Sequence, residues 1–338
     1  PLRLLGIGLP LTMLLGTLVA AVVFGDMPFW EAAILAIILA PTDASLAQAV
    51  VSSPRVPVRI RQALNIESGP NDGIALPFLL LAISMAEATE VAQLGSGYWL
   101  GLAARQILFG ILAGVIVGYL GIKFIELGRR VRWMTTTFEK ISAVALALLA
   151  YALAELVGGN GFVAAFSMGL ALGNTSRSKM SQELHEQMEV EVATLMLLTF
   201  LVFGSVLLPL TLPRVDGLVV LYAVLSLTLI RMLPVAISLI GTGLRLGTVL
   251  FLGWFGPRGL ASILYVFIML DAEGLVARET IFTVVVVTVL VSVFAHGMTA
   301  APAARRYGRR MADEEIVAPD AEEHAEVPEM PLRVKRDR

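Results

Sequence analysis

A short polar segment inside a long apolar stretch contains residues that can bind a small cation. Ser68 and Asp72 are four positions apart, so on a helix they lie on one face. Pro70 has no backbone N–H and displaces the carbonyl of Ile66 from its helical hydrogen bond. Carboxylate, hydroxyl and carbonyl oxygens are the ligands of hard cations. An aspartate in a membrane helix costs roughly 2.5–3.5 kcal/mol and usually faces a protein-lined or wet cavity, so this segment predicts a cation site.

Two further apolar stretches are interrupted by proline next to a charged residue. Thr42 and Asp43 follow Pro41, which removes a helical hydrogen bond near the middle of its stretch. Arg258 lies in the sequence Gly-Pro-Arg-Gly near the middle of the other stretch. A proline in a membrane helix is often only a kink, but a charge beside it favours function. We therefore predict that Thr42 and Asp43 belong to the cation site.

The composition places these segments in a membrane. Of the 338 residues, 57% are hydrophobic and 15% are charged, and the mean hydropathy is +0.82. Apolar runs of about 20 residues follow one another, which predicts an all-α polytopic membrane protein. The absence of cysteine excludes disulfides and thiolate chemistry. We predict about ten spans, at Leu2–Phe24, Trp30–Val51, Ala63–Ala86, Gly97–Leu127, Phe138–Leu156, Gly161–Gly173, Val190–Leu208, Gly217–Gly241, Gly247–Leu270 and Thr280–Ala300.

The loops alternate in charge along the chain. Clusters that include Arg55, Arg245 and Arg310 are predicted on one side, which the positive-inside rule assigns to the cytoplasm together with the C-terminus. With this sidedness the two interrupted spans run in opposite directions, which is the sequence signature of an inverted-repeat transporter. Residues 1–300 form the predicted transmembrane domain. Residues 301–338 are charged and predict a disordered cytoplasmic tail.

Two more charged residues, Glu67 and Arg231, lie in apolar spans, and like Arg258 they require partners. An unpaired charge in a low-dielectric interior is very costly. We predict that Glu67 and Arg258 form a structural ion pair that holds the scaffold. For Arg231 the sequence leaves open whether it pairs in the same way or takes part in function.

These motifs resemble those of the sodium/hydrogen exchanger family of monovalent cation/proton antiporters. The resemblance rests on four motifs that occur in the family's order and span most of the membrane part. These are Pro41-Thr42-Asp43, Glu67-Ser68 with Asn71-Asp72, Gly256-Pro257-Arg258-Gly259, and His296-Gly297-Met298-Thr299. The chain departs from many family members at Gly69-Pro70, where apolar residues are expected.

The resemblance implies a fold of about thirteen spans with two crossing broken helices, of which this chain would lack roughly three at its N-terminus. It implies that Asp72 is the carboxylate that exchanges cation and proton, and that Ser68 and Thr42 contribute oxygens to bound Na⁺. Asn71 marks the electroneutral branch of the family, and Glu67 would pair with Arg258.

The implied function is the exchange of Na⁺, or Li⁺, for H⁺ across the cell membrane by alternating access. No enzymatic activity and no cofactor are expected, and the implied partners are the transported ions, the lipid bilayer and a second copy of the chain, not nucleic acid. A K⁺/H⁺ antiporter stays open. A channel is disfavoured because no Gly-rich filter loop is present. An intramembrane aspartyl protease built on Asp43 and Asp72 is disfavoured because the expected Gly-x-Gly-Asp element is absent.

Overall fold

The computed structural model describes residues 1–43, 46–90, 96–131, 133, 136–175, 194–317 and 322–324. Across these residues the secondary structure is helical, without any β-strand. In chain order the helices are α1 Leu4–Val23, α2 Phe29–Ile38, α3 Gln48–Val51, α4 Val58–Ser68, α5 Asn71–Glu90, α6 Ser96–Arg130, α7 Thr136–Leu156, α8 Gly161–Thr175, α9 Thr194–Arg214, α10 Gly217–Leu227, α11 Leu229–Ser238, α12 Leu246–Trp254, α13 Leu260–Leu270 and α14 Arg278–Val317. A single 3₁₀ turn, Glu322–His324, follows α14.

The predicted all-α architecture is confirmed. Within the described residues, six helical segments are long and apolar enough to cross a membrane, and four shorter apolar helices accompany them. Every one of the ten predicted spans coincides with one or two of the helices, and the second, third, eighth and ninth predicted spans are each divided between two. The chain is a multi-pass membrane protein.

The chain divides into two compact units, one of residues 91–197 and one of residues 1–90 with 198–338. The first of these contains α6, α7 and α8. Three glycines one turn apart on α6 bring its backbone close to α8, since a side-chain carbon at Gly110 would lie 2.7 Å from Asn160 O and one at Gly118 would lie 2.8 Å from Met168 O. Small residues of this kind allow membrane helices to pack backbone to backbone. Glu155 Oε1 accepts a hydrogen bond of 2.8 Å from Gly161 N and so caps α8.

The other unit contains both broken helices. The first consists of α2, which ends at Ile38, and α3, which begins at Gln48, with the non-helical residues 39–43 after α2. The second consists of α12 and α13, separated by residues 255–259. Each break contains the proline predicted to interrupt it, Pro41 or Pro257. Proline weakens the helix at both places because it cannot donate the backbone bond that a continuous helix needs, although Pro77, Pro234 and Pro302 are accommodated inside other helices.

The two ends of this unit differ in charge. At one end, named here the arginine-rich end, Arg59 forms an ion pair with Glu322, and Gly308 of α14 packs closely on the backbone of Arg55. At the opposite end Arg214 pairs with Glu279 at 3.4 Å. The predicted grouping of the arginine-containing loops is therefore observed within this unit.

The last helix is longer than the sequence predicts. Instead of ending near Ala300, α14 continues to Val317, and Ala304, Tyr307 and Met311 are buried on one of its faces. Residues 301–317 are thus helical, with buried side chains as far as Met311, which corrects the prediction of a disordered tail for this part. Residues 318–321 and 325–338 of the predicted tail lie outside the described residues.

Candidate functional site

The two broken helices meet at their interruptions. Asp43 N donates a hydrogen bond of 2.8 Å to Pro257 O, which joins the two non-helical stretches directly. Arg258 Nη1 donates to Ala40 O at 2.5 Å and to Pro41 O at 3.1 Å. The guanidinium is fully buried and lies at the C-terminal end of α2, where the helix dipole is negative and carbonyls lack helical partners. Arg258 therefore offsets the negative dipole at the C-terminal end of α2 and hydrogen-bonds the carbonyls that follow it.

Asp43 carries a negative charge at the N-terminal end of α13, the second half of the other broken helix. Its Oδ2 accepts a hydrogen bond of 3.3 Å from Leu260 N, the first residue of α13. A carboxylate at a helix N-terminus is stabilised by the positive end of the dipole. The structure thus gives Asp43 a partner in the scaffold, in addition to the cation-binding function predicted for it.

The glycines of the Gly-Pro-Arg-Gly motif make room for charged side chains. A methyl group on Gly256 would overlap the guanidinium of Arg231, and one on Gly259 would overlap the carboxylate of Asp43. Both positions therefore require glycine because another chain segment approaches the backbone closely, as glycine in broken helices permits.

Glu67 pairs with Arg231, not with Arg258 as predicted. Glu67 Oε1 and Arg231 Nη1 are 2.6 Å apart, with side-chain exposures of 5% and 2%. Within the described residues Arg231 Nε and Nη2 have no hydrogen-bond partner, so Glu67 is the compensating group for this buried cation. Arg258 does not need a carboxylate because backbone carbonyls surround it. The predicted scaffold role of Glu67 therefore remains, with a different arginine.

The segment with the predicted cation ligands is two helices rather than one. Helix α4 ends at Ser68 and α5 begins at Asn71, with Gly69 and Pro70 between them. Pro70 immediately precedes α5, and its carbonyl accepts a bond of 3.0 Å from Ile74 N. The helix predicted to carry both Ser68 and Asp72 is therefore interrupted between them. Asp72 lies instead in the first turn of α5, where the helix dipole favours a negative charge.

Three of the predicted ligands nevertheless come together. Thr42 Oγ1 and Ser68 Oγ are 3.2 Å apart, and Asn71 Nδ2 donates to Thr42 O at 3.0 Å and to Thr42 Oγ1 at 2.9 Å. Because its nitrogen is turned to Thr42, Asn71 Oδ1 remains buried without a hydrogen-bond partner in the part of the chain that the structure describes. Such an orphaned oxygen is costly unless a ligand satisfies it. Thr42, Ser68 and Asn71 are all buried.

Asp72 is half-buried and follows Asn71 directly, with its Oδ1 buried. Its backbone carbonyl accepts a hydrogen bond from the hydroxyl of Tyr265 on α13, so the start of α5 is attached to the second broken helix. The sequence did not single out Tyr265, since a lone tyrosine in an apolar span carries no pattern. Among the described residues no group of three or more histidine, aspartate or glutamate side chains could hold a metal ion. The predicted ligands at this position are the carboxylate of Asp72 and the neutral side chains of Thr42, Ser68 and Asn71, with Asp43 directly after Thr42 in the first break.

The last motif, which includes His296 and Thr299, holds the second break in place. His296 Nε2 lies 2.9 Å from Trp254 O, and its Nδ1 lies 3.2 Å from Ser292 Oγ. Ser292 Oγ in turn accepts a bond of 2.7 Å from Arg258 N. Trp254 Nε1 also donates to Thr299 Oγ1 at 3.0 Å. Side chains of α14 therefore hydrogen-bond the carbonyl of Trp254, the last residue of α12, and the backbone N–H of Arg258 in the break.

A multi-pass helical protein in which two broken helices cross beside a membrane-embedded carboxylate belongs to the class of inverted-repeat secondary transporters. The family model described as "Sodium/hydrogen exchanger, transmembrane" matches residues 1–306. The chain belongs to this family of monovalent cation/proton antiporters.

Similar proteins carry names with two different cations. A probable Na⁺/H⁺ antiporter of Schizosaccharomyces pombe is 28% identical over 260 residues, covering 73% of this chain and 34% of that protein. The K⁺/H⁺ antiporter NhaP2 of Shewanella oneidensis is 27% identical over 318 residues, covering 90% of this chain and 52% of that protein. The chain thus spans about a third to a half of the length of these relatives.

A solved structure has the same fold. The sodium proton antiporter MjNhaP1 from Methanocaldococcus jannaschii superposes with a TM-score of 0.68 at 19% sequence identity, covering 88% of this chain and 78% of that one. The match supports the predicted inverted-repeat fold with two crossing broken helices.

Proposed function

We propose that this protein exchanges a monovalent cation for protons, and that Asp72 is the carboxylate to which both bind in turn. The observation that carries the proposal is the convergence of Thr42, Ser68 and Asn71 at the start of the helix that bears Asp72. These side chains come from two separate interruptions of the helical structure, and together they gather hydroxyl and amide oxygens next to one carboxylate.

The donor set suits a monovalent cation. Hard cations take oxygen ligands, and a divalent ion usually requires more than one carboxylate. In this proposal Asp72 supplies the negative charge, and Ser68 Oγ, Thr42 Oγ1 and Asn71 Oδ1 supply neutral oxygens. The orphaned Asn71 Oδ1 supports this assignment because a cation would satisfy it.

Exchange follows from competition for one carboxylate. Asp72 can carry either a proton or a cation, and either ligand neutralises it before the site changes its access to the other side of the membrane. One carboxylate that binds one positive charge in each direction gives an electroneutral 1:1 exchange. In inverted-repeat transporters the ion site lies at the broken helices, and access alternates as one part of the protein moves against the other around this site.

We propose Na⁺ as the transported cation, with Li⁺ as a substitute. The second candidate is K⁺, which is favoured by the name of the Shewanella relative. We further propose that the protein works as a homodimer in the cell membrane, with the arginine-rich end and the C-terminus in the cytoplasm according to the positive-inside rule.

The test uses Asp72→Asn in proteoliposomes with an imposed pH gradient. Asparagine keeps the size and hydrogen bonding of the side chain but removes the charge, so exchange should fall below about a tenth of the intact rate. Asp26→Asn is the matched control, because Asp26 is exposed in a loop and undergoes the same chemical change. Each protein is tested with Na⁺, Li⁺ and K⁺, and at several membrane potentials.

Competition also predicts a pH effect in the intact protein. Below the pKa of the site, the apparent cation affinity should fall about tenfold for each unit of pH. Substantial exchange by Asp72→Asn, or a cation affinity that does not change with pH, would contradict the proposal. A response to K⁺ alone would leave the site assignment intact and replace Na⁺ by K⁺.

A further inference from the structure

A cavity of about 390 Å³ opens at the arginine-rich end, between the start of α12 and the last turns of α14. Three arginines line it, Arg245, Arg306 and Arg310, and the last two are one helical turn apart. Its remaining wall is largely apolar and includes Phe251 and Met311. The cavity therefore combines three arginine side chains with a largely apolar remaining surface.

The start of α12 already binds a carboxylate of the same chain. Glu323 is 1% exposed, and its Oε1 accepts hydrogen bonds from Arg245 N at 2.9 Å and from Thr248 Oγ1 at 3.0 Å. Burial by itself raises the pKa of Glu323, but these hydrogen bonds outweigh it and hold the pKa below its usual value. Arg245 and Thr248 also line the cavity, so the same helix start stabilises anionic oxygens next to it.

The surface beside the cavity is apolar. Leu246 lines the cavity and is 71% exposed, and Leu250, one turn further along α12, is 47% exposed. In a membrane protein, exposed leucines on one helix face contact acyl chains. A ligand that places an anionic group among the arginines and a hydrocarbon chain along these leucines fits both surfaces, whereas a soluble anion uses only the first.

We propose that this cavity binds the phosphodiester headgroup of an anionic phospholipid, with Arg245, Arg306 and Arg310 around the phosphate. Guanidinium groups bind phosphate oxygens through charge-assisted, often paired hydrogen bonds. Basic pockets between membrane helices are a known form of lipid-headgroup site. The proposal does not depend on which cation is exchanged, or on Asp72.

The test compares two double variants of one helix. Arg306→Gln/Arg310→Gln removes two cavity arginines, and Arg305→Gln/Arg309→Gln removes the same charge from exposed positions of α14 that do not line the cavity. Purified protein in a neutral detergent is titrated with short-chain phosphatidylglycerol, and binding is followed by the unfolding temperature. We expect the dissociation constant to rise about tenfold or more in the cavity variant only.

Two ligand controls separate the sources of the phosphate. Phosphatidylcholine tests the charge of the headgroup, and glycerol phosphate tests the contribution of the acyl chains. The proposal is overturned if glycerol phosphate binds as tightly as phosphatidylglycerol, or if both double variants lose the same affinity. The intact protein gives a second measurement that needs no variant, because in mixed-lipid nanodiscs native mass spectrometry should find phosphatidylglycerol retained over phosphatidylcholine. Equal retention would also overturn the proposal.

Discussion

Both broken helices are interrupted at a proline near a charged residue, but the groups exposed at the two interruptions have different partners. In the first break, Thr42 directs its hydroxyl to Ser68 and Asn71, and an amide oxygen next to Asp72 is left without a partner among the described residues. In the second break, the backbone N–H of Arg258 and the carbonyl of Trp254 are both engaged by side chains of α14. The first interruption thus brings side-chain oxygens together, whereas the backbone groups of the second are hydrogen-bonded by side chains of α14.

This difference shows that a proline-interrupted helix is not by itself a binding site. Both breaks contain a proline and a charged residue, and each charge stabilises the half-helix of the opposite break. Asp43 and Arg258 are therefore reciprocal parts of one crossing. The proposed site lies at the first break because α4 and α5 bring Ser68 and Asn71 to it.

The largest effect is expected from breaking the buried pair beside the crossing. Glu67→Gln should lower the free energy of unfolding by about 3–5 kcal/mol, because it leaves Arg231 as an uncompensated buried cation. Adding Arg231→Gln should restore part of this loss, and a double-mutant cycle on detergent-purified protein measures the coupling. Arg258→Gln is the comparison, and its coupling to Glu67→Gln should be weaker, since the direct ion pair of Glu67 is with Arg231. Strong coupling to Arg258 and none to Arg231 would refute the observed pairing.

A smaller effect is expected from the glycines of the second break. Gly256→Ala and Gly259→Ala each place a methyl group against a fixed charged side chain, which should cost about 1–3 kcal/mol of stability. Gly297→Ala is the control, because this α14 glycine has open space around it, and alanine favours a helix by roughly 0.5–1 kcal/mol. Thermal unfolding of the three variants gives the comparison. Equal tolerance of alanine at all three positions would mean that the close contacts at the crossing are not rigid.

The smallest effect separates the two breaks by function. Thr42→Val removes one hydroxyl from the proposed cation site and should lower the apparent cation affinity by about three- to tenfold, with a loss of stability of about 1 kcal/mol from its bonds to Ser68 and Asn71. Ser292→Ala removes the hydroxyl that accepts from Arg258 N and should cost about 1 kcal/mol of stability without changing that affinity. Cation titrations of exchange and unfolding curves are measured on both. An unchanged affinity in Thr42→Val would remove this residue from the site.

Some structural features could have been predicted from the sequence but were missed. Residues 300–311 contain small or apolar side chains at Ala300, Ala304, Tyr307 and Met311, spaced as on one face of a helix, and all four are buried in α14. The high charge of the segment obscured this periodicity. The long helix matters because its last turns form one wall of the arginine-lined cavity.

The sequence by itself determined the helical class, the positions of the membrane-spanning segments, the two interruptions and the residue types of the candidate site. These properties depend on local chemistry: hydrophobic length sets a span, and a proline beside a charged residue marks each of the two interruptions. For the same reason the family motifs could be recognised before any contact was known.

Only the tertiary structure decided which groups meet. Glu67 had two buried arginines as alternatives, at positions 231 and 258, and the choice depends on how helices distant in sequence pack together. It likewise decided that Ser68 and Asp72 lie on two helices, because a proline can either kink a helix or precede a new one. Thr42 reaches Asn71 only because the first break folds against the start of α5, and residue order alone contains no information about that distance.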